Sequence, residues 1–307
     1  MKNIRQEFAD TMLEVGQKNP NLIVLVSDIS HGILKTFSEK CPGQFYNVGI
    51  CEQSVVNMAA GLSKLDLIPV VHTIAPFIVE RSYEQIKLDF GYQKLGVNII
   101  TVGGSFDYSK LGCSHHCYTD VSLISHFDQS SIFIPGSSKE FNLLFKENYN
   151  NGKINYFRIS NSMHNIDIDE SNLKSNKGFV VKKGTDITIA TIGPQLQTVI
   201  KASEKLLIEK NISAEIIYFP TLKPFDHNLV KQSVMKTKKL ISFEELSAHD
   251  GLFNLCIKST LGINDVLVDQ IAIKDFIREY GSFDELCNFS GLTVENLCKR
   301  AIFLLKK

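Results

Sequence analysis

Continuous apolar runs of six or seven residues recur along this chain, each followed by a helix-period segment, and no other feature narrows the fold as much. "NLIVLVS" (21–27), "LIPVVHT" (67–73), "VNIITVG" (97–103), "SSIFIP" (130–135) and "INYFRIS" (154–160) lack the apolar/polar alternation of a half-exposed strand. A strand with no polar face is covered on both sides. Between these runs lie helical candidates at 4–18, 52–64, 76–94 and 137–148, with Pro76 suited to a first helical turn, where its missing N–H is not needed. Strands and helices in strict alternation specify a parallel sheet with helices on its faces.

The rhythm lapses once. From Ser160 to Gly184 the chain is rich in Asn, Ser and charge, as expected of a connection running over the surface. It then resumes with "DITIATIG" (186–193), a helix from Pro194, "SAEIIYF" (213–219), a helix near 226–237, "KLISFEE" (239–245) and a terminal helix after Gly291. A chain of 307 residues that is 44% apolar can fill two cores. The expected fold is therefore α/β, with two domains, each a mainly parallel sheet covered by helices: 1–162, a linker at 163–184, and 185–307. No internal repeat or low-complexity tract interrupts this reading.

The 33 basic and 33 acidic residues cancel, so charge balance favours neither nucleic acid nor an anionic membrane as partner. The N-terminus has no signal-like h-region, and no stretch reaches the roughly 18 apolar residues of a membrane span. A cytoplasmic protein with a small-molecule ligand or a protein partner is expected. Seven cysteines without regular spacing fit reduced thiols, with Cys41, Cys51, Cys256, Cys287 and Cys298 as ordinary small residues.

"FYNVGICEQSVVNMAAGL" (45–62) places Glu52 at the start of a helix that is small or apolar on nearly every face. An acid in a first turn can simply complement the helix dipole. Burial all round, however, makes a carboxylate costly unless a specific donor meets it. This segment resembles the pyrimidine-binding domain of the transketolase family, in which V-G-I-x-E-Q precedes an A-A-G-L turn. The resemblance implies that Glu52 hydrogen-bonds the pyrimidine of thiamine diphosphate and favours its imino tautomer, whose nitrogen removes the thiazolium C2 proton. The cofactor would carry the carbanion chemistry, while the protein sets tautomer and geometry.

Two further segments fall in the same register. "HTIAPFIVERSYEQI" (72–86) resembles the family's aromatic patch followed by R-x-Y/F-E-Q, which makes Phe77 the ring that stacks on the pyrimidine. Ile74 and Glu80 stand at neighbouring pocket positions that are aromatic in many members, and Asp28 is placed with them among the cofactor-binding residues. "LGCSHHCYTD" (111–120) aligns with D-G-x-T-H-Q, making His115 a substrate-contacting, catalytic histidine. Read alone, Cys113, His115, His116 and Cys117 also offer metal ligands, although their spacing is not a common zinc pattern. In the second half, "FEELSAHDGLFNL" (243–255) is a degenerate echo of the E-E-H-x-x-G-G-L-G stretch of transketolase C-terminal domains.

The family's G-D-G motif, which holds diphosphate and Mg²⁺ through hard oxygen ligands, is missing; "HDG" at 249–251 lies in the wrong domain. The resemblance thus implies the C-terminal subunit of a split transketolase. Its thiamine diphosphate would be shared with an N-terminal partner chain that also holds Mg²⁺, and two copies of each chain would assemble, with Glu52 reaching across an interface. Arg5 aligns with a phosphate-binding arginine. Gly32, Gly103, Asn161 and Leu111, by contrast, stand where relatives carry a serine, a histidine, an arginine and an aspartate. These departures suggest ketol transfer on a specialised sugar. A synthase that decarboxylates a 2-oxo acid and condenses it with an aldehyde, a non-catalytic partner subunit, and a plain flavodoxin-like binding module are the other readings.

Overall fold

A computed structural model describes residues 3 to 307. Its strands are β1 (Leu22–Val26), β2 (Phe45–Asn47), β3 (Ile68–Ile74), β4 (Val97–Val102), β5 (Ser130–Phe133), β6 (Ile154–Arg158), β7 (Phe179–Lys182), β8 (Ile187–Thr191), β9 (Ala214–Tyr218), β10 (Thr221–Lys223), β11 (Lys239–Ser247) and β12 (Leu267–Ile273). They form a seven-stranded sheet of order β10-β5-β6-β4-β3-β1-β2 and a five-stranded sheet of order β12-β11-β8-β9-β7. β10 and β7 pair antiparallel at their edges, and the other pairings are parallel. The helices are α1 (Ile4–Gly16), α2 (Lys35–Lys40), α3 (Glu52–Lys64), α4 (Tyr83–Gln85), α5 (Asp120–Ser125), α6 (Ser138–Asn148), α7 (Leu196–Lys210), α8 (His227–Thr237), α9 (Leu252–Thr260), α10 (Phe283–Phe289) and α11 (Val294–Leu305).

The continuous apolar runs are explained by two-sided burial. Leu22, Val24 and Val26 of β1 pack with Phe8 and Met12 of α1 and Phe141 of α6. Ile23 and Leu25 point the other way, into the core under α3 with Val55, Val56 and Ala59. Successive strand side chains alternate faces, so a strand lying between two helical layers needs apolar residues at every position. The second sheet does the same with α7 and α11 on one side and α8 and α9 on the other.

Three expectations require correction. The segment 76–94 is not one helix: Pro76–Glu80 and Ile86–Tyr92 are π-helical turns flanking the short α4. Arg81 N–H reaches back five residues to the Pro76 carbonyl, and the Ser82 hydroxyl takes the Phe77 carbonyl at 3.3 Å, which interrupts the α-helical ladder. The run from Ser160 to Gly184 is not purely a surface connection, since Ile168 and Leu173 are buried in the second core and β7 lies within it. Finally, α3 is not buried all round. Val55, Val56, Ala59 and Ala60 face inward, while Ser54, Asn57, Met58 and Gly61 face out.

The two halves are joined by charge as well as by apolar contact. Arg158, at the end of β6, is 1% exposed. It donates through Nε to Asp120 at 2.8 Å, through Nη1 to Glu245 of β11 at 2.9 Å and through Nη2 to the Cys117 carbonyl at 3.1 Å. The Tyr156 hydroxyl donates to Asp120 and the Gln195 amide to Glu245, so neither carboxylate relies on the guanidinium alone. Burial works against the charge of Arg158, but Asp120 and Glu245 outweigh it and hold the guanidinium above its ordinary pKa. Arg158→Met should destabilise the fold by about 3–5 kcal/mol, because it leaves two buried carboxylates without their counter-ion. Urea denaturation at pH 7 measures this, and a loss below about 1 kcal/mol would show that the cluster is not a clamp.

Candidate active site

The residues singled out in the sequence lie at the carboxyl ends of the first sheet's parallel strands. Asp28 and Ser30 follow β1, Glu52 follows β2, Phe77 and Arg81 follow β3, and His115 lies in the long loop after β4. β1 and β3 are adjacent, and the chain runs outward from them in opposite directions, to β2 on one side and β4 on the other. Open α/β sheets form their ligand crevice at this switch point. Backbone strain collects here too: Asp28, Ser30 and Ser105 hold left-handed φ values of 49°, 60° and 52°.

Glu52 occupies the first turn of α3 and is 2% exposed. Its Oε2 lies 2.9 Å from Nη1 of Arg81, a side chain that is itself 43% exposed. Among the described residues, no hydrogen bond reaches Oε1. The same arginine lays its Cζ 4.3 Å over the Phe77 ring. Phe77 in turn meets the His115 ring edge-on at 5.1 Å, and Tyr108 lies 6.1 Å from His115 on another side. His115 Nδ1 is 3.0 Å from the Ser114 hydroxyl. Burial, then His116 and Arg81, push the His115 pKa down, so the ring is neutral at pH 7 and offers one donor and one acceptor.

The other named residues are distributed around this cluster. Ile74 closes β3, half-buried beside Gly103. Glu80 accepts from the Thr119 hydroxyl at 2.6 Å and from the Cys117 thiol at 3.6 Å, and so ties down the loop that carries His115. Asp28 makes a reciprocal pair with Asn47: its N–H donates to the Asn47 side-chain oxygen and its carboxylate accepts from the Asn47 amide, both at 3.1 Å. That pair fixes the approach to Glu52. Arg5, in the first turn of α1, donates to Ser30 Oγ at 2.8 Å. Within the Cys/His segment, His116 is buried and faces the Ser109 carbonyl, and Cys117 faces Glu80; the two diverge from His115.

Sequence reasoning passed over two residues that shape the site. Arg81 links Glu52 to Phe77, and its only sequence signal was its place in the R-x-Y/F-E-Q match. Tyr108 was invisible for a steric reason. At Gly103, φ is +80°, and a Cβ there would meet the Tyr108 ring at 2.7 Å and Ile74 Cγ2 at 2.8 Å. The tyrosine therefore fills the space above a position that only glycine can occupy. Asp107, next to it, accepts from the Ser160 hydroxyl at 2.6 Å and the Asn161 N–H at 3.1 Å, and burial pushes its carboxyl up to about 6.

Comparisons with known proteins match both halves of the chain. The transketolase pyrimidine binding domain matches residues 1–165, and the transketolase C-terminal domain matches residues 176–297. The chain is 29% identical to a subunit of the apulose-4-phosphate transketolase of Phocaeicola vulgatus, over 99% of its own length and 97% of the relative's. It is 27% identical to a 6-deoxy-6-sulfo-D-fructose transketolase subunit of a Clostridium species, covering 97% of this chain and 93% of that one. A 1-deoxy-D-xylulose-5-phosphate synthase of Clostridium acetobutylicum is 26% identical over 96% of this chain, which spans 48% of that enzyme. Among solved structures, a split gene transketolase described as an inactive beta4 tetramer superposes with a TM-score of 0.90 at 26% identity, covering 100% of this chain and 99% of that one. The pyrimidine-binding fold, the C-terminal fold and the order of the matched segments together make this chain a member of the transketolase family, built as the C-terminal subunit of a split enzyme.

Proposed function

We propose that this chain supplies the pyrimidine-recognising half of a two-chain transketolase that depends on thiamine diphosphate and transfers a two-carbon ketol unit between specialised sugars. The observation that carries the reading is Glu52: a carboxylate 2% exposed, set at a helix start, with one oxygen held by Arg81 and the other open. An isolated buried acid is a liability, so a position that keeps one must give it a partner with a donor. A protonated pyrimidine nitrogen is such a donor, and Phe77 beside it offers a flat apolar surface.

The residues present fit the cofactor's pyrimidine end. Oε1 of Glu52 would accept from the ring nitrogen, Phe77 and Ile74 would bound the ring, and Arg81, 43% exposed, holds Oε2 through a partly buried bond that leaves Oε1 open. Thiamine diphosphate, when bound, supplies the electron sink for breaking and making a carbon–carbon bond next to a carbonyl. Neutral His115 is suited to exchange hydrogen bonds with substrate oxygens. Among the described residues, no group of three His, Cys, Asp or Glu side chains is arranged to hold a metal ion. We assign the diphosphate and Mg²⁺ to an N-terminal partner chain in an assembly of two copies of each, in the cytoplasm. Among the described residues, no helix is long and apolar enough to cross a membrane.

Sugars modified with a phosphate or sulfonate, the classes named in two relatives, fit a site that keeps Arg5 but has Gly103, Leu111 and Asn161 where other transketolases carry a histidine, an aspartate and an arginine. Loss of a bidentate arginine removes roughly 1.5–3 kcal/mol of charge-assisted binding, so ordinary pentose phosphates would be poor substrates. The outward side of α3 supports a partner chain. Met58 is 46% exposed, Ile50 is 73% exposed, and a Cβ on mid-helix Gly61 would meet nothing within 4 Å. An exposed helical glycine costs about 1 kcal/mol relative to alanine, a sacrifice that a closely approaching partner accounts for.

Calorimetry with thiamine diphosphate and Mg²⁺ should show binding by the two chains together and none by this chain alone. Glu52→Gln should lower turnover about 10²- to 10⁴-fold while leaving the assembly intact. Tight binding by the lone chain would sink the split-site reading. Gly61→Leu should leave the melting temperature of the isolated chain unchanged or raised, yet abolish its complex with the partner in light scattering. An unaltered complex mass would remove α3 from the interface.

A further inference from the structure

Arg5 does not reach the site alone. Its Nη2 donates to Ser30 Oγ at 2.8 Å; Ser30 Oγ is 2.8 Å from His72 Nε2; and His72 Nδ1 is 2.9 Å from the Ile100 carbonyl oxygen. The direction of this chain follows from chemistry. A carbonyl only accepts, so Nδ1 carries the hydrogen. In a neutral ring Nε2 is then the acceptor, the Ser30 hydroxyl must donate to it, and the lone pairs of Ser30 are left for the guanidinium. The ring is neutral: His72 is fully buried, and burial, together with the Arg5 charge, lowers its pKa to about 4.

Packing alone does not explain this histidine. It sits on a central strand among apolar neighbours, 4.3 Å ring to ring from Phe8, where an aliphatic side chain would serve without burying two polar nitrogens. Ser30 is likewise held at a left-handed φ of 60°, a conformation serine rarely adopts, and the two bonds to its hydroxyl fix it there. At the far end, Arg5 Nε is buried and, among the described residues, has no partner, so this guanidinium keeps hydrogen-bonding capacity to spare.

We infer that His72 is a positioning residue: through the Ser30 hydroxyl it locks the Arg5 guanidinium in the orientation that grips an oxyanion at the far end of the substrate. This rests on the proposed role of Arg5 in substrate binding. The relay turns a mobile surface arginine into a preorganised one, so the ordering of its side chain is complete before the ligand arrives. Its three links come from the loop after β1, from β3 and from β4, which are neighbouring strands at the switch point.

The test uses the assembled two-chain complex, saturated with thiamine diphosphate and Mg²⁺ and titrated with inorganic phosphate in a calorimeter. Arg5→Gln should remove saturable phosphate binding. His72→Asn, whose amide can replace Nδ1 but cannot reach Ser30, should weaken it about tenfold, a difference of roughly 1.4 kcal/mol. His72→Gln, whose longer amide can meet Ser30, should stay within about threefold of the parent. Ser30→Ala should match His72→Asn, and the double variant should be no weaker than either, because both break one chain. Thiamine diphosphate affinity and complex mass should not change in any of them. Parent-like phosphate binding by His72→Asn, additive losses in the double variant, or a loss that His72→Gln fails to rescue would overturn the relay. Absence of phosphate binding in the parent complex would overturn it as well. Failure of the transketolase reading would show earlier and separately, as a parent complex that does not bind thiamine diphosphate.

Discussion

The site's geometry depends on one buried guanidinium. Arg158 is held by Asp120, which opens α5, by Glu245 from the second sheet and by the Cys117 carbonyl in the loop after β4. A Cβ on Gly104 would lie 2.5 Å from its Cζ, so the start of that loop is molded onto the arginine as well. One side chain thus sets the docking of the two halves and the course of the loop that carries Tyr108 and His115. Charges this deep are retained at a desolvation cost that apolar residues would avoid. What they add is direction: an apolar contact slides, whereas a guanidinium with three fixed acceptors does not.

The loop is fastened at other points for the same purpose. Ser105 and Cys117 form a short antiparallel bridge, Asp107 reaches the segment after β6, and Glu80 closes on Thr119. Asp107 and Glu80 both have carboxyl pKa values raised chiefly by burial, although Glu80 keeps an exposed edge and its bond to Thr119 lies at the surface. Between these fixed points His115 and Phe77 meet edge to face. The site is therefore a set of loops on a rigid sheet, each tied to its neighbour by a carboxylate.

The sheets were legible because periodicity reports burial. β1, β3, β4 and β6, covered on both faces, read directly as continuous apolar runs. β2 and β10, three residues each, are too short for a period to register, and β12 carries Asp269 and Gln270 within an edge strand. Glu52 could be found because it broke an apolar helix, and His115 and Phe77 because a motif register carried them. Arg81 lay in that same register but without an assigned role, and Ser30, His72 and Tyr108 carried no such mark. Their importance comes from contacts across 29 to 42 positions in sequence, as in the Arg81–Glu52 and Ser30–His72 pairs, or from the missing Cβ of Gly103, which sequence shows only as a glycine. The outward side of α3 failed in the opposite way: its composition implied burial that the single chain does not provide.

That mismatch and the state of Glu52 point the same way. Arg81 touches both groups proposed to meet the cofactor, pairing with Glu52 and lying over Phe77. It satisfies a carboxylate that would otherwise be buried with no counter-charge. Because Arg81 is nearly half exposed, its hold on Glu52 is only partly desolvated and hence weaker than the clamp at Arg158. The proposed function needs this inequality: the groups that position the loops are locked by fully buried charge, while Glu52, the group proposed to meet the ligand, is held by a partly exposed contact.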